Sequence, residues 1–447
     1  MGARTNAMRR AGWALAAVLA ASAGTAWAQV GEVEFARGVG FAQTPGQAPR
    51  TLGKGLPLKE GDRLTTADGA SAIVKLEDGT RMTVRPNSEL VISQYQFKEN
   101  SPDNSMLLQM VRGGFRAVTG LISKASPNAA KVQTSTATIG IRGTDFDARI
   151  CNRDCAAESQ KVAEAARPNA VLASAKVVQA TGEMYAVDAN NQRRRLVEGG
   201  SVYPGDVIET AAGTRAVIAF RDDTRLTLGP STRFRVDNFV YDEQNAGEGR
   251  FFASLLRGSV RALTGLIAKA NNRNVGFSTA TATIGIRGTG FDMTCGDTCT
   301  LYTWLGSIVV TPQGQTALQV LQSGQGLAIS PTGGITAISA PPAMDGPRPD
   351  TVTVPPKLFS KDSVPEGQDG LYVFVRDGHI EVDTVTGEKL HMGRGEAGFA
   401  SNSGEVGRPS TIPRFLSGDR TPMPDSRNLN LKTVLDDINF KEKKTCS

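Results

Sequence analysis

Histidine is almost missing from this 447-residue chain: there are two, His379 and His391, both late. That scarcity argues against histidine-centred catalysis and against a histidine-rich metal site. Aromatic residues make up 6% of the chain, too few for the stacked aromatic platforms that bind nucleic acid. No Gly-Lys-Ser/Thr phosphate loop occurs, no Ser-His-Asp order, and no paired carboxylates on a recognisable glycosidase frame. Past the first 28 residues no run is long and apolar enough to span a bilayer. Excess charge is scarce too. The formal net charge is +6, but Arg4, Arg9 and Arg10 sit in an acid-free N-terminal stretch. Without them 47 basic residues face 44 acidic ones, about +3, so bulk charge implies no polyanion binding. The sequence therefore predicts a non-enzymatic chain with no cofactor and no metal.

Glycine, by contrast, is plentiful at 49 residues, and many glycines with few aromatics suit short strands and tight turns. The N-terminus reads as a charged start, an apolar stretch, and Ala26-Trp27-Ala28. These three parts read as a secretory signal peptide over residues 1–28, cleaved before Gln29, with an uncleaved membrane anchor as the rival reading; the expected place is the periplasm, with secretion or surface association as alternatives. In that compartment Cys151, Cys155, Cys295 and Cys299 favour disulfides, Cys151 with Cys155 and Cys295 with Cys299, each closing a short hairpin. A zinc site built from both pairs is the rival reading. Cys446 is left over.

The chain is written twice. RGGFRAVTGLISKA from Arg112 matches RGSVRALTGLIAKA from Arg257, and STATIGIRGTDFD from Ser135 matches ATATIGIRGTGFD from Ala280. From Arg112 to Thr144 about 20 of 33 positions are identical, which marks an internal repeat. Units of 30–155 and 174–299 follow. A connector at 156–173 has the Ala, Glu and Lys content of a helix stopped near Pro168. Further strands are expected at 300–339, a Pro-rich extended linker at 340–366, a small β segment at 367–402 and a mostly disordered tail at 403–447. The segment from Leu371 weakly echoes the one from Leu301.

Inside each unit the apolar residues alternate. Ala72, Val74 and Leu76 face inward, then Met82 and Val84, then Leu90 and Ile92; Ile218, Phe220, Leu226 and Leu228 repeat the pattern. Arg81, Thr83 and Arg85 are expected outside. Short strands at this spacing predict an all-β fold, either a sandwich or a stacked solenoid, and single inward aliphatics on short rungs favour the solenoid. Asp78 and Asp222 fit hairpin-turn chemistry better than a calcium cage, which would need more carboxylates.

The order Gly-Asp-x-(Leu/Ile), Asp-(Gly/Asp)-Thr, Arg-Gly-x-x-Arg and Thr-Ile-Gly-Ile-Arg-Gly-Thr-x-Phe resembles the FecR domain family, over Gly61 to Asp147 and again over Gly205 to Asp292. The resemblance implies an exported, β-rich interaction module and, in the family's best-known setting, relay of an envelope signal to a sigma-factor pathway. Within the motif, Arg142, Gly143, Thr144 and Asp147, with Arg287, Gly288, Thr289 and Asp292, predict a glycine turn whose arginine and aspartate form an internal ion pair. Arg112, Arg116, Arg257 and Arg261 read as solvated strand faces or a basic stripe. The expected partner is a protein, peptidoglycan or another envelope polymer, and not nucleic acid.

Overall fold

The computed structural model describes residues 29–126, 129–344 and 346–417. The predicted signal peptide, Cys446 and the tail from 418 lie outside the described residues. The chain is all-β, with two repeated units.

Three long strands organise each unit. In the first, β1 (Ser105–Val118) and β2 (Ala137–Cys151) lie side by side; in the second, β3 (Arg250–Leu263) and β4 (Ala282–Cys295) do the same. The second unit continues directly into β5 (Cys299–Pro312), which pairs with β4 along its whole length. The first unit has no such continuation. Its third strand is β6 (Gly370–Thr384), which returns after the entire second unit and pairs with β2 from Ala137↔Thr384 to Cys151↔Gly370. The second unit is thus inserted within the first. The segment 367–402 is the outer part of the first unit's sheet, just as 300–339 is of the second's, and this explains why the two stretches echo one another.

Each long strand serves two layers. In the first unit the early half of β1 pairs with Glu89–Gln96 and Ala130–Gln133, and its late half with Arg81–Val84 and β2. The crossing point is a bend at glycine. Gly143 of β2 and Gly288 of β4 take φ +61° and +66°, a conformation that a Cβ disfavours. The partner bends nest against them: a Cβ on Gly378 would lie 2.3 Å from the Gly143 carbonyl oxygen. Inward apolar side chains of both layers, including Val74, Met82, Leu90, Ile92, Ile139 and Phe146, fill one core. Ile218, Leu226, Phe234 and Phe291 do so in the second unit.

The result is sandwich-like, not the favoured solenoid. A solenoid stacks parallel rungs, whereas pairing among the described strands is antiparallel except for the short contacts of β1 and β3 with Ala130–Gln133 and Val275–Ser278. The strands that hold the layers together are 14 or 15 residues long, not short rungs.

The outward side of the hairpins also departs from expectation. Thr83 and Arg85 are buried, because Arg85 donates to the Phe415 carbonyl at 2.5 Å. Residues 403–417 are accordingly folded, with Ile412, Phe415 and Leu416 packed on Tyr372 and Phe399 over the Cys151–Cys155 pair. The Pro-rich stretch is not a free linker: Thr227 donates to the Pro347 carbonyl at 2.8 Å, and Arg348 lies 4.2 Å from the Trp304 ring. The connector is helical only over Cys155–Gln160. Arg167–Pro168 then pairs with Thr411–Ile412 as strand.

Candidate functional site: the repeated motif and the seam between units

The threonine of Ile-Arg-Gly-Thr is held by its backbone. Thr144 N donates to Thr119 Oγ1 at 2.8 Å and Thr119 N donates to the Thr144 carbonyl at 3.0 Å; Thr289 and Thr264 repeat this at 3.0 and 3.0 Å. The Thr-Gly that follows Arg-Ala-Val or Arg-Ala-Leu in both units therefore exists to clamp the bend.

The predicted ion pair inside the motif does not form. The bend at Gly143 puts Arg142 in one layer and Asp147 in the other. Arg142 instead pairs with Glu381 of β6 at 3.0 Å. Asp147 is buried and accepts from Arg376 Nε at 2.7 Å, and burial pushes its carboxyl pKa up. In the second unit Asp292 lies directly opposite Arg261 and accepts from it twice, at 2.8 and 3.0 Å, while Arg287 is exposed. The difference has a sequence cause. Where the second unit has Gly290, the first has Asp145, and Asp145 captures Arg116 at 2.8 Å. Arg376 then takes Arg116's place on Asp147, at the position where Trp304 donates to Asp292 at 3.0 Å. Of the proposed arginine stripe, Arg116 and Arg261 are thus committed to ion pairs, and Arg112 pairs with Glu89 at 3.2 Å.

Both cysteine pairs stand at disulfide distance, with Cα–Cα separations of 5.5 Å for Cys151–Cys155 and 4.2 Å for Cys295–Cys299. Only the second closes a hairpin, into β5. Cys155 starts a helix instead, because the neighbouring strand position is filled by β6 and the chain must turn away. Asp78 Oδ2 accepts from Thr80 Oγ1 at 2.9 Å and from Ile122 N at 3.3 Å, and Asp222 binds Thr224 in the same way. Both are turn residues.

Sequence reasoning missed the seam between the units. Lys176, on the first strand of the second unit, is fully buried and donates to Glu396 at 2.9 Å and to the His391 carbonyl at 3.1 Å. Arg408 donates to the same Glu396 oxygen at 2.8 Å and is likewise buried. Glu396 and Arg408 belong to the returning C-terminal segment, so this triad pins one unit to the other. Burial lowers the Lys176 ammonium to about 8, against the pull of Glu396. Burial also works to raise the Glu396 carboxyl, but Lys176 and Arg408 hold it below its ordinary value. Asn169 of the connector completes the lock by donating to the Ala397 carbonyl at 2.8 Å and accepting from its N–H at 2.9 Å. None of this shows in the repeat pattern, since the partners stand far apart in sequence.

Beside the triad the two histidines stack, with ring centroids 5.6 Å apart. Neither ring nitrogen of His379 has a hydrogen-bond partner among the described residues. Burial, together with His391, Arg142 and Lys176 nearby, drives the His379 pKa well down; burial lowers His391 to about 4. His391 borders a cleft of about 440 Å³ between the units, lined also by Arg142, Arg195, Glu198, Glu381 and Lys389. Among the described residues no cluster of three metal-ligating side chains occurs.

A family model described as FecR protein matches residues 62–163 and 206–309. No curated protein matches. Among solved structures, two crystal structures at 2.50 and 1.65 Å of a candidate anti-sigma factor from Parabacteroides distasonis are similar at 15% identity. The match covers 30% of this chain and 60% of that one, with a TM-score of 0.25.

Proposed function

The chain carries two tandem FecR domains, residues 62–163 and 206–309, and on that premise we propose that it is a non-enzymatic binding scaffold of the bacterial envelope. Its two domains present their surfaces to a protein or envelope-polymer partner as one body. The observation that carries this reading is the buried Lys176–Glu396–Arg408 triad. Two modules on a free tether bind independently; two modules fixed at a buried seam present a single composite surface. Export through residues 1–28 to the periplasm belongs to the same proposal, and the two cysteine pairs at disulfide distance agree with an oxidising compartment.

A second reading rests on the family itself: a regulatory protein that relays an envelope signal through a separate membrane partner. Cross-linking in intact cells distinguishes the two. Recovery of peptidoglycan or a structural envelope protein supports the scaffold, and recovery of a membrane-bound sigma regulator supports the relay. Turnover of cell-wall glycan by the purified chain, lost on changing one carboxylate, would overturn both.

A further inference from the structure

The near-balanced total charge conceals a local excess. In the second unit the strands Arg193–Leu196, Met184–Val187, Val207–Thr210 and Arg233–Val240 lie side by side and end on β3. Their register sets Arg195, Tyr185, Glu209, Arg233 and Arg257 in one row across five strands, with Arg193 and Arg235 in the adjacent row. Inward neighbours such as Leu196, Phe234 and Val236 are buried, so the row lies on the outer face. The side chains of Arg193, Arg195, Arg233 and Arg235 are 55, 42, 48 and 46% exposed. Strands stand about 4.8 Å apart, so the row runs for roughly 19 Å.

The first unit supplies a built-in comparison. At the sites of Arg195, Arg233, Arg235 and Arg257 it has Thr51, Glu89, Val91 and Arg112. There Glu89 and Arg112 are cross-strand partners joined by an ion pair at 3.2 Å. In the second unit the same position sets Arg233 against Arg257, and like charges directly opposite destabilise a sheet. Glu209, already shared between Arg193 at 3.6 Å and Arg233 at 3.1 Å, is the carboxylate of that row. Arg257 forms no ion pair among the described residues. Arg195 and Arg235 hold the flanking carboxylates Glu183, at 3.5 Å, and Asp237, so the open face carries five arginines against three carboxylates, and this excess, with Arg257 set against Arg233, suits an anion from outside.

Resting on the binding function above, we propose that this face docks an anionic polysaccharide whose sugars carry carboxylates. Arginine's planar fork suits carboxylate recognition. The row itself holds no aliphatic residue, and Leu256 beside Arg257 is 40% exposed; that single side chain is less than the desolvated apolar centre from which a folded protein partner would draw its affinity. The ring of Tyr185 is covered by the Arg193 guanidinium at 3.5 Å, which leaves that cation stacked and displayed.

The test is a binding titration of the full chain with polygalacturonate, with uncharged dextran and a polyglutamate peptide as comparators. The variant is Arg195→Thr, Arg233→Glu and Arg235→Val together, each the residue that the first unit tolerates at that site. The expected result is polygalacturonate binding that weakens with salt and falls at least about tenfold in the variant, with an unchanged thermal melt. Equal binding by the variant, equal binding of dextran, or no binding by the parent chain would overturn the proposal. Preference for polyglutamate, lost in the variant, would overturn it in favour of an acidic protein. If polygalacturonate fails while cross-linking still recovers a partner, this face is refuted and the scaffold stands. If the polymer binds but no partner is recovered in cells, the scaffold reading fails and this face stands.

Discussion

Acid should weaken this protein through its two histidines. In the unfolded chain both titrate near 6.5, while in the folded chain burial lowers His391 to about 4 and His379 further below its ordinary value. A base whose folded pKa is depressed binds more protons unfolded than folded. Its contribution to stability is therefore complete above about pH 6.5 and is lost as pH falls toward the folded value. Within that window His391 costs about 1.4 kcal/mol per pH unit, so about 2 kcal/mol by about pH 5, and His379 acts in the same direction. For His391 the full shift corresponds to about 3 kcal/mol, a ceiling because the ring keeps some contact with solvent. The charged groups facing the pair are Arg142, Lys176, Arg194 and Lys389, which oppose protonation, and Glu381, which favours it at His391. Glu381 and Glu396 are themselves held low, so they remain ionised in the folded chain through most of this range. The assay is urea unfolding at about pH 7 and about pH 5. It compares the parent with a His379→Leu, His391→Gln double variant. The leucine sacrifices no hydrogen bond, because both His379 nitrogens lack one among the described residues. The parent should lose at least about 2 kcal/mol more than the variant between the two pH values. Equal losses would refute the argument and show that the rings reach water or a partner on protonation.

Three further outcomes follow from the packing. Val74→Asp and Ile218→Asp each place a carboxylate at a site that is 0% exposed, and should cost several kcal/mol, read as a thermal melt lowered for the affected unit. Glu396→Gln leaves Lys176 and Arg408 buried without their carboxylate and should cost about 3–5 kcal/mol, whereas Lys176→Met keeps the Glu396–Arg408 pair and should cost less; limited proteolysis and melts would rank the two. Replacing Cys151 and Cys155, or Cys295 and Cys299, by serine opens only a tiny loop and should cost about 1–2 kcal/mol, with non-reducing peptide mapping of the parent confirming the pairing.

Much of the fold is legible because the physics is local. Period-two alternation at Val74, Met82 and Leu90 marks strands, and Asp78-Gly79 and Asp222-Asp223 mark their turns without reference to anything distant. Duplication adds a second vote at every position. The layering was harder to read, since a strand that serves two layers looks in sequence like one long alternating run. The clue was Gly143 and Gly288, placed mid-strand where glycine otherwise weakens a sheet. The pairing of Arg142 with Asp147 that the sequence suggests fails for the same reason. Five residues apart on a straight strand they look like neighbours, and a bend at the intervening glycine sends them to different partners.

The seam was not legible at all, and the reason is topological. The first unit lacks the strand that the second obtains simply by continuing through Cys295–Cys299, so it must wait for β6. That wait forces residues 389–408 to lie where the second unit's first strand also lies, and the side chains there are no longer governed by the repeat. Lys176 is the case in point: its counterpart in the first unit is Glu32, so comparing the copies suggests a solvated, freely varying site. The same comparison marks the arginine row as a difference between the copies without saying what opposes it. In a duplicated chain the shared residues define the fold, whereas the residues that differ at matching sites, Lys176 against Glu32 and Arg233 against Glu89, mark where each copy has surroundings of its own.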